Sequence, residues 1–382
     1  MNPSQNWIKE AFLPIFILFY LQGMESLSSP AFVSRNTLLK VIYNSSKYLF
    51  PFILFFLAAI QILWLCFISS YKDEWATLIV LFLQLWIYIS VFRSRTRIRL
   101  LTEELHRISN MLRVYTIKKK KIFKVYIWVY CLFVTFLTIF LEMILFNSGM
   151  IAHEQHKLRS SKLIPEHFKE HSVTIMYCSF TSITLVGHFF FGTLPGYYCF
   201  VCCCMKQFFL HFVGKSKSLI ARQDYQSILE IYKEMNKTMI MMDNFLNFPI
   251  FISVVNILTS LFWYGYSFAF PPNADNVTGI FFAMGFVQYF VLLLITLIPA
   301  AAANQAAEMA REFVLSLPAW FPKQYKMINV HVRRNFMHKT TLTLLEIYRI
   351  DKSLLISAIG SLISYGILFG TLGSVQNINN EF

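Results

Sequence analysis

Charge is what this sequence has least of. Only 14% of its 382 residues are charged, against roughly 25% in an average soluble domain. Acids are scarcest, at 20. With 56% hydrophobic residues and 40 phenylalanines, the chain cannot cover a globular surface with polar groups. That excludes a cytosolic enzyme, an intrinsically disordered protein and a small disulfide-stapled secreted module. Catalytic signatures are also missing: there is no Gly-rich phosphate loop, no Gly-x-Ser-x-Gly elbow and no His-Glu-x-x-His. No internal repeat supports the inverted-repeat logic of a secondary transporter.

What the chain does have is long apolar runs. About 20 apolar residues in a helix cross roughly 30 Å of hydrocarbon. Seven runs qualify: Tyr48–Ser69, Trp75–Phe92, Ile122–Phe146, Val173–Cys204, Leu246–Phe268, Ile280–Ala303 and Ser353–Leu372. The fourth is long and contains Gly192, Pro195 and Gly196, so a kink or break is expected there. An eighth run, Ala11–Leu21, is shorter and carries Pro14. It reads as an interfacial or re-entrant segment rather than a signal peptide, because Glu10 and Gln22-Gly23 do not suit a cleavage context.

Orientation follows from the basic residues. With seven spans, the N-terminal segment and loops 93–124, 205–245 and 304–349 share one side and hold 28 of the 34 Lys and Arg. The opposite loops and the C-terminal tail hold 5. The expected architecture is therefore an all-α polytopic membrane protein with its N-terminus in the cytoplasm and its C-terminus outside. G-protein-coupled receptors are threaded the other way, and Asp-Arg-Tyr and Asn-Pro-x-x-Tyr are both missing at their expected places. The formal charge of +14 is thus a topology signal, with Arg93, Arg95, Arg97, Arg99 and Lys118–Lys121 beside anionic inner-leaflet lipid. Nothing in the chain matches a nucleic-acid-binding module.

The chain divides into a cytoplasmic segment (1–47), spans 1 to 4 (48–204), a cytoplasmic helical extension (205–245), spans 5 and 6 (246–303), a cytoplasmic segment (304–349), and the last span with a short outer tail (350–382). Helical patterns in Ser216–Asn244, Ala306–Leu315 and Thr340–Ile347 point to long helices that leave the membrane and pack as an anchor. Lying flat on the inner leaflet is the alternative.

Cys199-x-x-Cys202-Cys203-Cys204 has no second ligand pair at zinc-finger spacing. It reads as reduced, structural or palmitoylated thiols, and no metal or cofactor is expected. His153, His156, His167 and His171 fit a solvated outer loop. Asn276-Val277-Thr278 is a glycosylation sequon in an outer loop, whereas those at Asn44 and Asn236 lie inside.

Polar groups within spans mark either helix–helix hydrogen bonds or an aqueous site. Gln84, Glu142, Thr181, Thr184, Asn256, Trp263, Tyr264 and Gln288 form the candidate ligand set. Polar tips on aromatic faces suit a small organic ligand, although an interfacial aromatic belt also explains the outer residues. On the last span, Ser357, Ser361, Ser364, Leu368 and Thr371 advance by alternating steps of four and three, one stripe of a helix. Asp351 and Ser353 stand where they cap its start. Such a stripe means tight packing, or a wet path narrowing to an apolar constriction that several copies enclose.

At these residues the chain resembles the arthropod gustatory receptor family, relatives of insect odorant receptors. That family ends its last helix on Thr-Tyr, five apolar residues, then Gln-Phe. Here the same spacing reads Ser364-Tyr365, five residues, then Thr371-Leu372, preceded by a similar Asp351-Lys352-Ser353-Leu354-Leu355. The resemblance implies a plasma-membrane, ligand-gated, non-selective cation channel for small-molecule tastants. It implies a tetramer, either of one chain or with related receptors, whose last helices line one pore. By that carry-over Leu372 is the outer gate, Thr371 replaces the pore Gln, and Tyr365 packs below, with Ser361, Ser364 and Leu368 along the wall. The ligand site falls among the outer halves of spans 2 to 6. A non-channel seven-helix receptor or scaffold is the alternative, and a transporter a weaker one.

Overall fold

The computed structural model describes residues 7–22, 72–112, 117–147, 166–269 and 276–379, with scattered positions between 45 and 60. The helices are α1 (Trp7–Leu21), α2 (Lys72–Leu112), α3 (Ile117–Asn147), α4 (Glu166–Ala221), α5 (Tyr225–Ala269), α6 (Asn276–Trp320), α7 (Tyr325–Phe336) and α8 (Lys352–Asn379). Two short strands, β1 (Thr343–Leu344) and β2 (Tyr348–Arg349), pair antiparallel just before α8.

Length explains the architecture. At 1.5 Å per residue, the 45-residue helices α5 and α6 run about 68 Å, roughly twice the hydrocarbon thickness. One end of each must therefore leave the membrane. Among the described residues, Lys120–Asn147, Gly192–Ala221, Tyr225–Ala269 and Asn276–Trp320 are long and apolar enough to cross, and Lys352–Ser364 is a shorter apolar helix. The chain is a multi-pass membrane protein. Of the first expected span, the described residues are helical; the rest, with the 148–165 loop and its His153 and His156, lies outside the described residues.

The ends of α4, α5 and α6 that adjoin α7 pack together. Phe208, Phe209 and Phe212 of α4, Met235 and Met239 of α5, and Ala306, Ala310 and Val314 of α6 form one buried layer. Ile328, Val332 and Phe336 of α7 close it. Alanines on α6 let the neighbouring helices approach, and Tyr232 bridges the layer, 5.7 Å from the Phe212 ring and 5.1 Å from that of Phe336. Within Ser216–Asn244 the helix is not continuous. α4 ends at Ala221, the chain reverses through Gln223 in the left-handed region (φ 58°), and Asp224 caps α5 by accepting from Ser227 N at 3.1 Å.

Thr340–Ile347 is not helical, contrary to its pattern. Leu345 and Glu346 both take positive φ (55° and 59°), and Ile347 N donates to Leu344 O at 3.1 Å, so the segment turns back as a hairpin. The physical reason lies in its neighbours. Buried Asn304 on α6 bonds the Leu342 and Ile350 backbone. Asp243 on α5 accepts from Thr343 N at 2.6 Å and from its hydroxyl. Backbone groups satisfied from outside have no need of a helix.

α4 runs unbroken through Pro195. Its glycines serve close approach instead of a break. A Cβ on Gly196 would fall 2.1 Å from the Tyr130 ring, and one on Gly192 2.4 Å from Val134. Tyr130 in turn donates to Gly192 O at 2.5 Å. α1 lies inside the bundle against α2, α3 and α4, with Ile8, Phe12 and Ile15 wholly buried. Tyr197 is ringed by Phe12, Phe16 and Phe19, and Gln22 donates to Thr193 at 2.9 Å. The apolar run therefore packs against protein, not along a surface.

Candidate functional site

Along α5, Ser253, Asn256, Ser260 and Tyr264 advance by three, four and four residues, which is one face of a helix. All four are buried. Asn256 is 0% exposed, yet neither of its amide atoms has a hydrogen-bond partner, and the Ser253 hydroxyl one turn earlier has none either. Leaving a buried polar group unmet costs about 1–3 kcal/mol.

α6 supplies the facing side. Tyr289 stacks on Tyr264 with centroids 5.4 Å apart, and Ser260 is hydrogen-bonded to Tyr289. A Cβ at Gly285 would fall 2.2 Å from the Tyr264 ring, so glycine is what lets that ring lie against α6. Trp263 meets Tyr264 edge-on at 4.8 Å and Phe282 at 5.6 Å. Glu142 of α3 is buried within electrostatic reach of Tyr264. Tyr264 therefore belongs to the interior, while Tyr266 is exposed.

Between α3 and α6 lies a cavity of about 220 Å³. Its walls are apolar, including Val134, Leu137, Met284 and Leu292, apart from Gln288 and Tyr130. Gln288 is 6% exposed, and its Oε1 has no partner.

Asn256, Trp263, Tyr264, Gln288 and Glu142 thus lie across α3, α5 and α6 in one half of the bundle. Gln84 on α2 is buried with its Oε1 unmet. The Trp86–Phe248 ring contact at 6.2 Å sets that part of α2 about two turns along α5 from Asn256. Thr181 and Thr184 belong to α4, and Asn276 is the exposed first residue of α6; the two threonine side chains lie outside the described residues. Ser253, Ser260, Tyr289 and Gly285 were not expected, although the three- and four-residue steps around Asn256 carry the signal for the two serines. Among the described residues no three metal-ligating side chains converge, and Cys131, Cys199, Cys202, Cys203 and Cys204 are free thiols.

α8 has two distinct faces. Leu354, Leu355 and Leu362 pack against the core of α5 and α6. Ser357, Ser361 and Ser364 are exposed, as are Ile356 (71%) and Ile363 (59%). The Ser364 hydroxyl donates to Gly360 O at 2.9 Å, which leaves its oxygen free to accept. Asp351 caps the helix, accepting from Leu354 N at 2.9 Å. Tyr365, Leu368, Thr371 and Leu372 follow in the same helix; their side chains lie outside the described residues.

No family model and no curated protein matches this chain. Among solved structures, the olfactory receptor OR5 of the insect Machilis hrabei matches with a TM-score of 0.59 and 11% identity, over 96% of this chain and 98% of that one. The same receptor in complex with eugenol matches with a TM-score of 0.54 and 10% identity, over the same shares. The chain shares the fold of these two olfactory receptor structures.

Proposed function

We propose that this chain is a chemosensory receptor of the gustatory kind. In this reading it is a ligand-gated, non-selective cation channel of the plasma membrane, assembled from four copies around a pore lined by α8. The observation that carries the proposal is the division of α8. Its leucine face is held by its own chain, and its serine face is left bare, as a helix shared with other copies around water requires. Exposed Ile356 and Ile363 flank that stripe and suit contact with a neighbouring copy.

The ligand site is the buried polar layer of Asn256, Ser253, Gln288 and Glu142 beneath the Trp263, Tyr264 and Tyr289 rings. Gln84 belongs to the same proposed set from α2, and Thr181 and Thr184 are assigned to it from α4 by sequence alone. Its mixture of apolar wall and few hydrogen-bonding groups suits a small, largely apolar molecule. That a relative of the same fold was solved in complex with eugenol agrees with such a ligand. Opening is a population shift: the ligand binds the open arrangement better, and that difference moves the gate at Thr371 and Leu372.

Tastant-evoked cation current in cells expressing wild type and Leu372→Ala tests the gate. A larger resting leak or altered gating in the variant is expected. Unchanged leak and unchanged gating would remove Leu372 from the gate.

A further inference from the structure

A second cavity lies apart from the ligand layer. It is an open groove of about 840 Å³ between α3 and α4. The α3 wall runs from Ile122 to Phe133 and the α4 wall from Phe200 to His211. Each stretch rises about 17 Å, close to half of the roughly 30 Å hydrocarbon core. The groove is thus as long as one leaflet is deep.

Its polarity is graded along that length. At one end stand Val129, Phe133 and Phe200. Toward the other, Cys203, Gln207 and His211 follow at four-residue intervals on α4. Beyond His211 comes exposed Lys217 on α4, and the sequence of α3 just before Ile122 is the lysine run 118–121.

The start of α3 adds an electrostatic argument. Its first turn holds Lys118–Lys121 and no acidic residue. Cations stacked on the positive end of a helix dipole repel it, unless an anion sits among them. Among the described residues, Glu10 pairs with Lys124 at 3.9 Å, and Lys120 lies over the Trp7 ring.

We propose that the α3–α4 groove binds one anionic glycerophospholipid of the cytoplasmic leaflet, with its acyl chains along Val129, Phe133 and Phe200 and its phosphate at the His211 and Lys217 end, where the lysine run that opens α3 supplies further positive charge. Gln207 and Tyr126 stand at the depth of the glycerol esters. The site rests on the inside-N-terminus threading of the proposed receptor, but its occupancy needs no channel activity.

The test is phospholipid retention by native mass spectrometry. The full chain is purified from bilayers of phosphatidylcholine alone or mixed equally with phosphatidylglycerol. Wild type is expected to keep one phosphatidylglycerol in preference to phosphatidylcholine. Lys119→Gln/Lys217→Gln is expected to lower that retention roughly 30-fold, taking about 1 kcal/mol per surface cation. Val129→Trp fills the groove without touching charge and is expected to lose the lipid too. Arg333→Gln/Arg334→Gln, which removes the same charge from α7, should leave retention intact.

Equal retention of the two lipids by wild type would mean ordinary boundary lipid and overturn the site. So would equal losses in the α7 variant, or full retention in Val129→Trp, which would mean diffuse surface attraction. None of these outcomes bears on the tastant-evoked current, so failure here and failure of the channel proposal are separable.

Discussion

Asn304 and Leu342 bond each other as two strands would: the Asn304 Oδ1 accepts from Leu342 N at 2.7 Å, and its Nδ2 donates to Leu342 O at 3.0 Å. The same Nδ2 donates to Ile350 O at 2.8 Å. One buried side chain on α6 thereby fixes both ends of the hairpin from which α8 starts. Replacing Asn304 with Leu keeps the volume and removes three hydrogen bonds, leaving Leu342 N and Ile350 O without their Asn304 partner while Leu342 O still accepts from Ile350 N at 3.1 Å. At about 1 kcal/mol per bond, the expected loss is about 3 kcal/mol, read as a lower thermal midpoint in detergent. An unchanged midpoint would show that the hairpin is held elsewhere.

Glu308 supplies the charged part of the same joint. It pairs with Lys339 and, at 2.7 Å, with Arg349. Hydrogen bonds from Lys339 and then Arg349 hold its carboxyl below the ordinary value of 4.5. A depressed acid stabilises the fold above its unfolded pKa, and that contribution fades as pH falls through the folded one. Wild type should therefore exceed Glu308→Gln in thermal midpoint near pH 7, by the 0–1 kcal/mol of a partly exposed pair. The two midpoints should converge below about pH 4. A gap that persists there would assign the effect to packing.

The unmet amides separate structure from binding. If Gln288 and Asn256 served only the fold, Gln288→Leu and Asn256→Leu would be neutral or stabilising, because each removes an unsatisfied buried group. If they meet a ligand, stability still holds but the half-maximal tastant concentration rises about tenfold, one charge-free hydrogen bond's worth. Both readouts are expected together. Unaltered concentration dependence in both variants would take these two residues out of the ligand site.

Much of the helical layout was legible because hydropathy and helix length answer to the same bilayer thickness. The packing of the helix extensions beyond 205 and 304 was legible because their apolar residues keep helical spacing. Thr340–Ile347 misled, since Asn304 and Asp243 satisfy its backbone from 38 or more residues away, and periodicity carries no information about distant partners. For a related reason Gly192 and Gly196 do not break α4: a glycine kept for the Val134 or Tyr130 side chain looks the same in sequence as one that ends a helix. The polar face of α5 was half visible. Asn256 drew notice as a lone amide, but serine is common enough in spanning helices that Ser253 and Ser260 did not.

The serine stripe of α8 makes the sharpest prediction. Ser361 and Ser364 lie on the bare face, whereas Leu355 and Leu362 pack against the core. If that face borders water in the assembled receptor, a cysteine at 361 or 364 will react with a charged thiol reagent applied to the cytoplasmic side, and the current will fall. Cysteines at 355 and 362, on the packed face of the same helix, should react far more slowly. The measurement is the rate of current loss in inside-out patches, with and without tastant. Rates at 361 and 364 that do not change with tastant would set the constriction beyond Ser364, toward the Thr371 end of the helix, whereas acceleration at 364 but not at 361 would set it between those two serines. Equal rates at all four positions would mean that α8 is surrounded by water or lipid on every side, and a pore built from this face would have to be abandoned.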